Sequence, residues 1–198
     1  TCDRSGDMVI QRDLQQWFFE TTRYKDEMLD TLPSLDWPEP IKAAQRAWIG
    51  KSTGVEINFQ LQASGEQAEQ AITIYTTRPD TMYGVSFIAL APENELAIEI
   101  STPEQRDVVS QYITSSKNMP EVERLTGKNS ERRGVFTGRY ATHPLTGNQV
   151  PVFVAAFVLN HGTGSVMGAP GDVARDFEFA THHNLNTTST TIPIANGP

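Results

Sequence analysis

One cysteine, Cys2, is all the thiol this 198-residue chain contains, so an internal disulfide framework is excluded and a reducing compartment suits it. Two residues from the chain start, that cysteine reads as a free thiol rather than a nucleophile. Long apolar runs are also missing: none approaches the roughly 18 residues that a membrane-spanning helix requires, so no membrane partner is expected. Positive charge is scarce, with 16 Lys and Arg against 24 Asp and Glu and a net charge of −8. That balance excludes a protein that grips nucleic acid mainly through a general basic field. It leaves room for a small site that receives only a single-stranded RNA terminus, which needs a few phosphate contacts and one nucleoside pocket. There is no repeat, heptad array, GxGxxG or phosphate-loop pattern, and no metal site is expected. The opening Thr1-Cys2-Asp3-Arg4 carries neither an initiator methionine nor a basic-then-apolar leader, and the chain is expected to be an excised fragment.

What is present fits one ordinary domain with an appended arm. Leu14, Trp17, Phe18, Thr21, Met28 and Leu29 recur at helical spacings and predict an amphipathic helix over 10–32, broken by the proline-rich stretch from Leu32 to Pro40. A short helix from Ile41 to Ile49 ends at Gly50, after which Val55 to Leu61 alternates as a strand. A turn at Ser64 to Gln67 and a strand from Ala71 to Tyr75 complete a hairpin. Val85 to Ala91 reads as a further strand or buried segment. Pro103 opens a helix with Val108, Val109, Tyr112 and Ile113 on its apolar face, and 115–134 reads as a mobile polar connection. Strands return at Val135 to Tyr140, Gln149 to Val154 and Ala156 to Leu159, with a turn at Pro144 to Asn148. A last helix runs from Asp172 to His182, with Asp172 as candidate cap, and 186–198 reads as a departing linker. Short strands with interspersed helices predict an α+β fold.

The segment richest in chemistry is Thr76-Thr77-Arg78-Pro79-Asp80-Thr81-Met82-Tyr83-Gly84, which places hydroxyls, a cation and a carboxylate in a turn between two buried strands. A second motif, Gly162-Thr163-Gly164-Ser165-Val166-Met167-Gly168-Ala169-Pro170-Gly171, is followed by Arg175-Asp176-Phe177-Glu178-Phe179-Ala180. Together they resemble the threonine-rich signature and the later motif of leucyl-tRNA synthetase editing domains of bacterial or organellar type. Gln15-Gln16-Trp17-Phe18-Phe19, Leu35-Asp36-Trp37-Pro38-Glu39, Gln45 to Ser52 and Gly134 to Ala141 add to the resemblance, which covers about residues 5–185. Valyl and isoleucyl editing domains have similar turns but carry glutamate or tryptophan near the place of Asp80.

The resemblance implies a small β-barrel flanked by helices, with 1–50 as a connecting arm from a parent synthetase, 51–185 as the editing domain and 186–198 as the exit linker. It implies hydrolysis of an aminoacyl-adenosine ester at the 3′ end of tRNA(Leu), with no cofactor for that reaction and with ATP and Mg confined to a synthetic domain absent here. The remainder of the parent synthetase is the implied partner, the implied state is a monomer, and the implied location is cytoplasm or organellar matrix. By the same resemblance Asp176 grips the substrate's α-ammonium, and Thr81, stiff about its first torsion, blocks leucine. Thr76 and Thr77 hold the terminal ribose, the attacking water or the oxyanion, and Met167 and Ala169 line the amino-acid pocket or adenine. Arg78, Asp80, Tyr83, His161 and Arg175 complete the candidate binding set. The competing readings are that Asp176 merely pairs with Arg175 on a helix surface, that Arg78 and Asp80 form an ion pair stabilising the turn, and that the threonines are plain strand formers. No general base is evident. His143, His182 and His183 read as solvated, so water positioned by Thr77, Asp176 and the substrate's own ribose hydroxyl is expected. The Gly162-Thr163-Gly164 turn is expected beside the substrate. Two departures stand out: Asp172-Val173 replaces the usual histidine-aspartate, and Ala169 stands where valine is common. A module that docks the tRNA end without hydrolysing it is the alternative.

Overall fold

The computed structural model describes residues 2–7, 15–62, 70–117, 119–126 and 133–187. The expected turn at Ser64 to Gln67, the position Leu14 and nearly all of the expected exit linker lie outside these residues. The chain divides into two compact units, Thr1–Thr53 and Gly54–Pro198. No helix among the described residues is long and apolar enough to cross a membrane.

The first unit contains α1 (Lys25–Thr31), a 3-10 turn (Leu32–Ser34) and α2 (Glu39–Ile49). Of the amphipathic helix expected over 10–32, the described residues from 15 onward form an α-helix only at Lys25–Thr31. Trp17, Phe18 and Phe19 lie in an irregular exposed segment and α1 buries no residue. Helical periodicity forms a lasting helix only where its apolar face is covered, and here it is not. In α2 the stem of Lys42 is buried while its ammonium meets Glu39 at 3.2 Å and the carbonyl of Pro33 at 3.4 Å.

The second unit is built on a six-stranded mixed sheet of order β2-β1-β4-β5-β3-β6. Its strands are β1 (Val55–Leu61), β2 (Ala71–Thr76), β3 (Phe87–Leu90), β4 (Gly134–Thr142), β5 (Gln149–Ala155) and β6 (Ser165–Gly168). Among the described strands only the pair β3 and β5 runs parallel. The fold is α+β as expected, but the sheet does not close into the expected barrel. The terminal strands β2 and β6 approach, with the Ser165 hydroxyl donating to the Thr73 carbonyl at 2.6 Å, yet no ladder joins them.

Alternation along the strands sorts side chains into two cores. Ile88, Leu90, Val152 and Val154 face one with Phe59, Ile72 and Ile74, under α4 (Pro103–Lys117), which contributes Val109 and Ile113. Phe87, Ala89, Phe153 and Ala155 face the other with Phe179 and Ala180 of α6 (Ala174–His182). β3 is buried along its whole length, which is why it reads as an unbroken apolar run.

Three expectations fail for one reason, which is that buried polar side chains take over backbone partners. The stretch 115–134 is not all loop, since α4 continues to Lys117 and α5 (Glu121–Thr126) follows α3 (Leu96–Glu99) and α4 in chain order. Arg124 of α5 is buried, pairs with Glu93 and donates to the carbonyls of Ala156 at 2.8 Å and Val158 at 2.9 Å. The Ala156 N–H meets the Tyr112 hydroxyl at 2.9 Å, so Ala156 to Leu159 forms no strand: its groups are satisfied without a ladder. Burial raises the Tyr112 phenol above its ordinary value. Asp172 is not at the cap position expected of it. Helix α6 starts at Ala174 after Val173, and a carboxylate within the helix holds the preceding loop instead.

Candidate functional site

A cleft of about 300 Å³ opens where β2, the following 3-10 turn (Pro79–Gly84), β6 and the start of α6 come together. The first wall consists of Ile74, Tyr75, Thr76, Thr77, Arg78 and Thr81; the second consists of Val166, Met167, Ala169, Val173, Arg175 and Asp176. Thr77 and Asp176, nearly a hundred positions apart, share one hollow because β2 and β6 are the two ends of a curled sheet.

Local bonds shape the first wall. The Thr76 hydroxyl accepts the Arg78 N–H at 3.0 Å, a turn that the side chain closes on its own backbone. The Thr81 hydroxyl donates to the Arg78 carbonyl at 2.9 Å, which fixes its side chain at 5% exposure against the cleft. Arg78 forks onto Asp80, Nε to Oδ1 at 2.9 Å and Nη2 to Oδ2 at 2.7 Å, so the expected turn-stabilising ion pair is formed. The hydrogen bond from Arg78 holds the Asp80 carboxyl below the usual aspartate value, and the same bond raises the Arg78 guanidinium. The Thr77 hydroxyl bonds no protein group among the described residues and is exposed to the cleft.

The second wall is anchored from behind. Asp176 is the third residue of α6, where a negative charge suits the helix start. Its carboxylate is 2% exposed; Oδ2 accepts the Ala169 N–H at 3.0 Å, and Oδ1 accepts Arg175 Nε at 2.9 Å and Nη2 at 2.8 Å. The Arg175 guanidinium also lies 4.5 Å from the Phe157 ring centre. The pair with Arg175 therefore exists, but at the inner edge of a cleft rather than on an open helix surface. Gly168, between two lining residues, faces the Phe87 ring so closely that a Cβ would overlap it.

Of the candidate residues, Thr76, Thr77, Arg78, Thr81, Met167, Ala169, Arg175 and Asp176 line the cleft, whereas Asp80, Tyr83 and His161 do not. Tyr83 borders a second cavity of about 170 Å³ with Ser86, His143 and Asn148. His161 is exposed in the turn before β6, its carbonyl accepting the Gly164 N–H at 3.1 Å. The Gly162-Thr163-Gly164 turn lies outside the cleft lining as well. Gly164 has φ +61°, a Cβ there would meet Asn160 Oδ1 at 2.6 Å, and Asn94 Nδ2 binds the Thr163 and Gly164 carbonyls. Met167 belongs both to the lining and to the first core, and Ala169 is buried.

Two histidines expected in solvent are not there. His143 is 2% exposed, and His183 is half-buried, packing 4.4 Å from Phe179 and 4.9 Å from Phe153 between ring centres; His182 is exposed. Sequence reading also passed over Ile74, Tyr75 and Val166 as lining residues. The alternation of β2 places Ile74 on the same face as Thr76, and that period-two signal was available. Val173 stood out only as a departure, and it lines the cleft. A buried carboxylate, a free hydroxyl and an apolar floor together suit a small cationic ligand carrying an uncharged side chain and a hydroxylated group.

Comparison with known proteins places these features in context. Residues 46–196 match the family model described as leucyl-tRNA synthetase, editing domain. The leucine–tRNA ligase of Dehalococcoides mccartyi strain 195 is 46% identical over 194 residues, 98% of this chain and 24% of that protein. That of Clostridium botulinum strain Hall is 44% identical over 185 residues, 93% of this chain and 22% of that protein. A crystal structure of the ternary complex of Agrobacterium radiobacter K84 agnB2 LeuRS-tRNA-LeuAMS superposes with a TM-score of 0.73 at 36% identity, covering 98% of this chain and 23% of that one. The chain thus spans about a quarter of the length of the relatives it matches.

Proposed function

Because this chain belongs to the leucyl-tRNA synthetase editing-domain family, we propose that its cleft performs post-transfer editing, hydrolysing the ester of mischarged tRNA(Leu) while excluding leucine. The observation that supports this reading is the meeting of Thr77, Thr81 and Asp176 in one hollow. The need for such a site is general: one methylene in an apolar pocket discriminates by only about 1–3 kcal/mol, a limit for which aminoacyl-tRNA synthetases are the type case. The substrates are isoleucyl, methionyl or norvalyl esters of the terminal adenosine.

Water attacks the ester carbonyl, the new C–O bond forms, the bond to the ribose oxygen breaks, and the water proton passes to that oxygen. The products are a free amino acid and an uncharged tRNA. Asp176 receives the α-ammonium in a charge-assisted bond and so orients the carbonyl. Thr77 and Thr76 hold the ribose hydroxyl, the water or the oxyanion. Thr81 stands where the longer branch of leucine would go. Met167 and Ala169 form the apolar floor, with Ala169 leaving it wider than valine would. No cofactor takes part; ATP and Mg serve the synthetic reaction of such an enzyme, carried elsewhere. The partners are the tRNA 3′ end and the remainder of a larger, monomeric synthetase in cytoplasm or organellar matrix.

The test uses the full-length protein that carries this chain. It should deacylate isoleucyl-, methionyl- or norvalyl-tRNA, and Asp176→Ala should lower that rate by about thirtyfold or more, because truncating one partner of a buried charge pair costs roughly 2–5 kcal/mol. Unchanged rates in the variant overturn the role of Asp176. The second reading, a module that docks the tRNA end without cleaving it, draws on Val173: it lines the cleft where the family carries aspartate, so the cleft is one carboxylate short. Tight binding of mischarged tRNA by wild-type protein with no deacylation would favour it.

A further inference from the structure

We propose that His143 is a positioning residue for specificity, holding the Thr81 wall of the cleft in place through the carbonyl of Met82. His143 lies at the start of the turn between β4 and β5, 2% exposed, with its ring edge-on to Phe59 at 5.7 Å. Its Nδ1 accepts the backbone N–H of Leu145 at 3.1 Å and of Thr146 at 3.2 Å. A ring nitrogen that accepts cannot carry a hydrogen, so the proton of the neutral ring sits on Nε2. That nitrogen lies 2.8 Å from the Met82 carbonyl, 61 positions away, and donates to it.

Met82 is the immediate neighbour of Thr81, and its carbonyl also accepts the Val85 N–H at 3.1 Å. The turn that carries both is 3-10, a geometry whose own hydrogen bonds are weak. Its side-chain hydrogen bonds include two local ones, Thr81 to the Arg78 carbonyl and the exposed pair of Arg78 with Asp80, and Asp172 adds a charge interaction with Arg78. His143 adds a long-range tie from a buried position. It does not line the cleft and so acts through the backbone of the turn rather than on a ligand.

A rigid wall matters because steric exclusion of one methylene yields only about 10–200-fold discrimination, and a wall free to retreat forfeits most of it. This inference rests on the proposed function, in which Thr81 excludes leucine. His143→Leu and His143→Gln are to be compared with wild type in the full-length protein, by deacylation of leucyl- and isoleucyl-tRNA and by amide exchange. His143→Leu should raise leucyl-tRNA hydrolysis about tenfold while isoleucyl-tRNA hydrolysis stays within about twofold. The Thr81 amide should exchange faster while that of Ile88 in β3 does not. Glutamine keeps an N–H for Met82 and a carbonyl for the turn, so His143→Gln should restore the sparing of leucyl-tRNA.

Unchanged exchange at Thr81, or unchanged sparing of leucyl-tRNA beside faster exchange, overturns the positioning role. Loss of both hydrolyses with exchange rising throughout β3 in both variants also overturns it, leaving His143 a folding residue only. If wild-type protein cleaves neither isoleucyl, methionyl nor norvalyl esters, the functional reading falls separately, while Thr81 exchange still reports whether His143 holds the turn.

Discussion

The two walls of the cleft are made differently. The threonine wall is a 3-10 turn held by short-range bonds of Thr81 and Arg78, the latter in an exposed ion pair with both side chains above 60% exposure, and by one buried long-range bond from His143. The acidic wall is a strand and a helix start locked by a buried carboxylate and backed by Phe87, Phe153 and Phe179. The difference teaches a division of labour. A charge that must meet an ammonium at a fixed place belongs on the rigid wall, since an ionic contact misplaced by an ångström is lost. A steric boundary can sit on a thinner element, provided something buried props it.

If the acidic wall is the rigid one, disturbing it from behind should cost the most. Gly168→Ala places a methyl against the buried Phe87 ring, and overpacking of this kind costs about 1–3 kcal/mol or somewhat more. Chemical denaturation of the full-length protein should reveal it in the transition of this unit. Gly162→Ala is the control: open space surrounds its Cβ, but φ of +60° charges it about 1 kcal/mol. Equal losses in the two variants would mean that the acidic wall is no better packed than an exposed turn.

A smaller effect is expected on the threonine wall, and in specificity rather than stability. Thr81→Ala removes a methyl and a hydroxyl from a wall position, and leucyl-tRNA hydrolysis should rise by about 10–100-fold, with isoleucyl-tRNA little changed. The lost bond to the Arg78 carbonyl should cost only about 1 kcal/mol. Competition assays with both charged tRNAs give the ratio directly. Were Thr81→Ala to spare leucyl-tRNA as wild type does, the boundary would lie on the opposite wall, among Val166, Met167 and Val173.

How much of this was legible in the sequence follows the range of the interactions. The hairpin of β1 and β2, the buried β3 and the helix over Pro103–Lys117 rest on alternation, apolar run length and a proline at a helix start, all of them local signals. The meeting of Thr77 with Asp176 rests on sheet order, which no local pattern encodes; only the paired motifs pointed to it. The open sheet in place of a barrel, the loop after Ala155 and the helix carrying Arg124 depend on which buried side chain claims which carbonyl. His143 looked solvated because His-Pro before a Gly-Asn pair reads as a surface turn, and the turn is one. Its ring, however, points inward, toward a carbonyl in a distant segment.

The smallest effect should come from the exposed pair on the thin wall, and its pH dependence separates it from the buried ties. Hydrogen bonding to Arg78 lowers the folded-state pKa of Asp80 relative to the unfolded chain. The stabilising contribution is therefore complete above the unfolded value of about 3.9 and fades as pH falls through the lower folded value. Arg78 shifts upward and adds nothing measurable, since it stays charged throughout that range. Solvent screening keeps the contribution slight even at neutral pH. Thermal midpoints of Asp80→Asn and wild type should accordingly differ little at pH 7, differ less in high salt, and coincide once the pH is well below about 4. A large gap that salt does not shrink and acid does not close would place the support of the threonine wall in Asp80. The prop assigned to His143 would then be redundant.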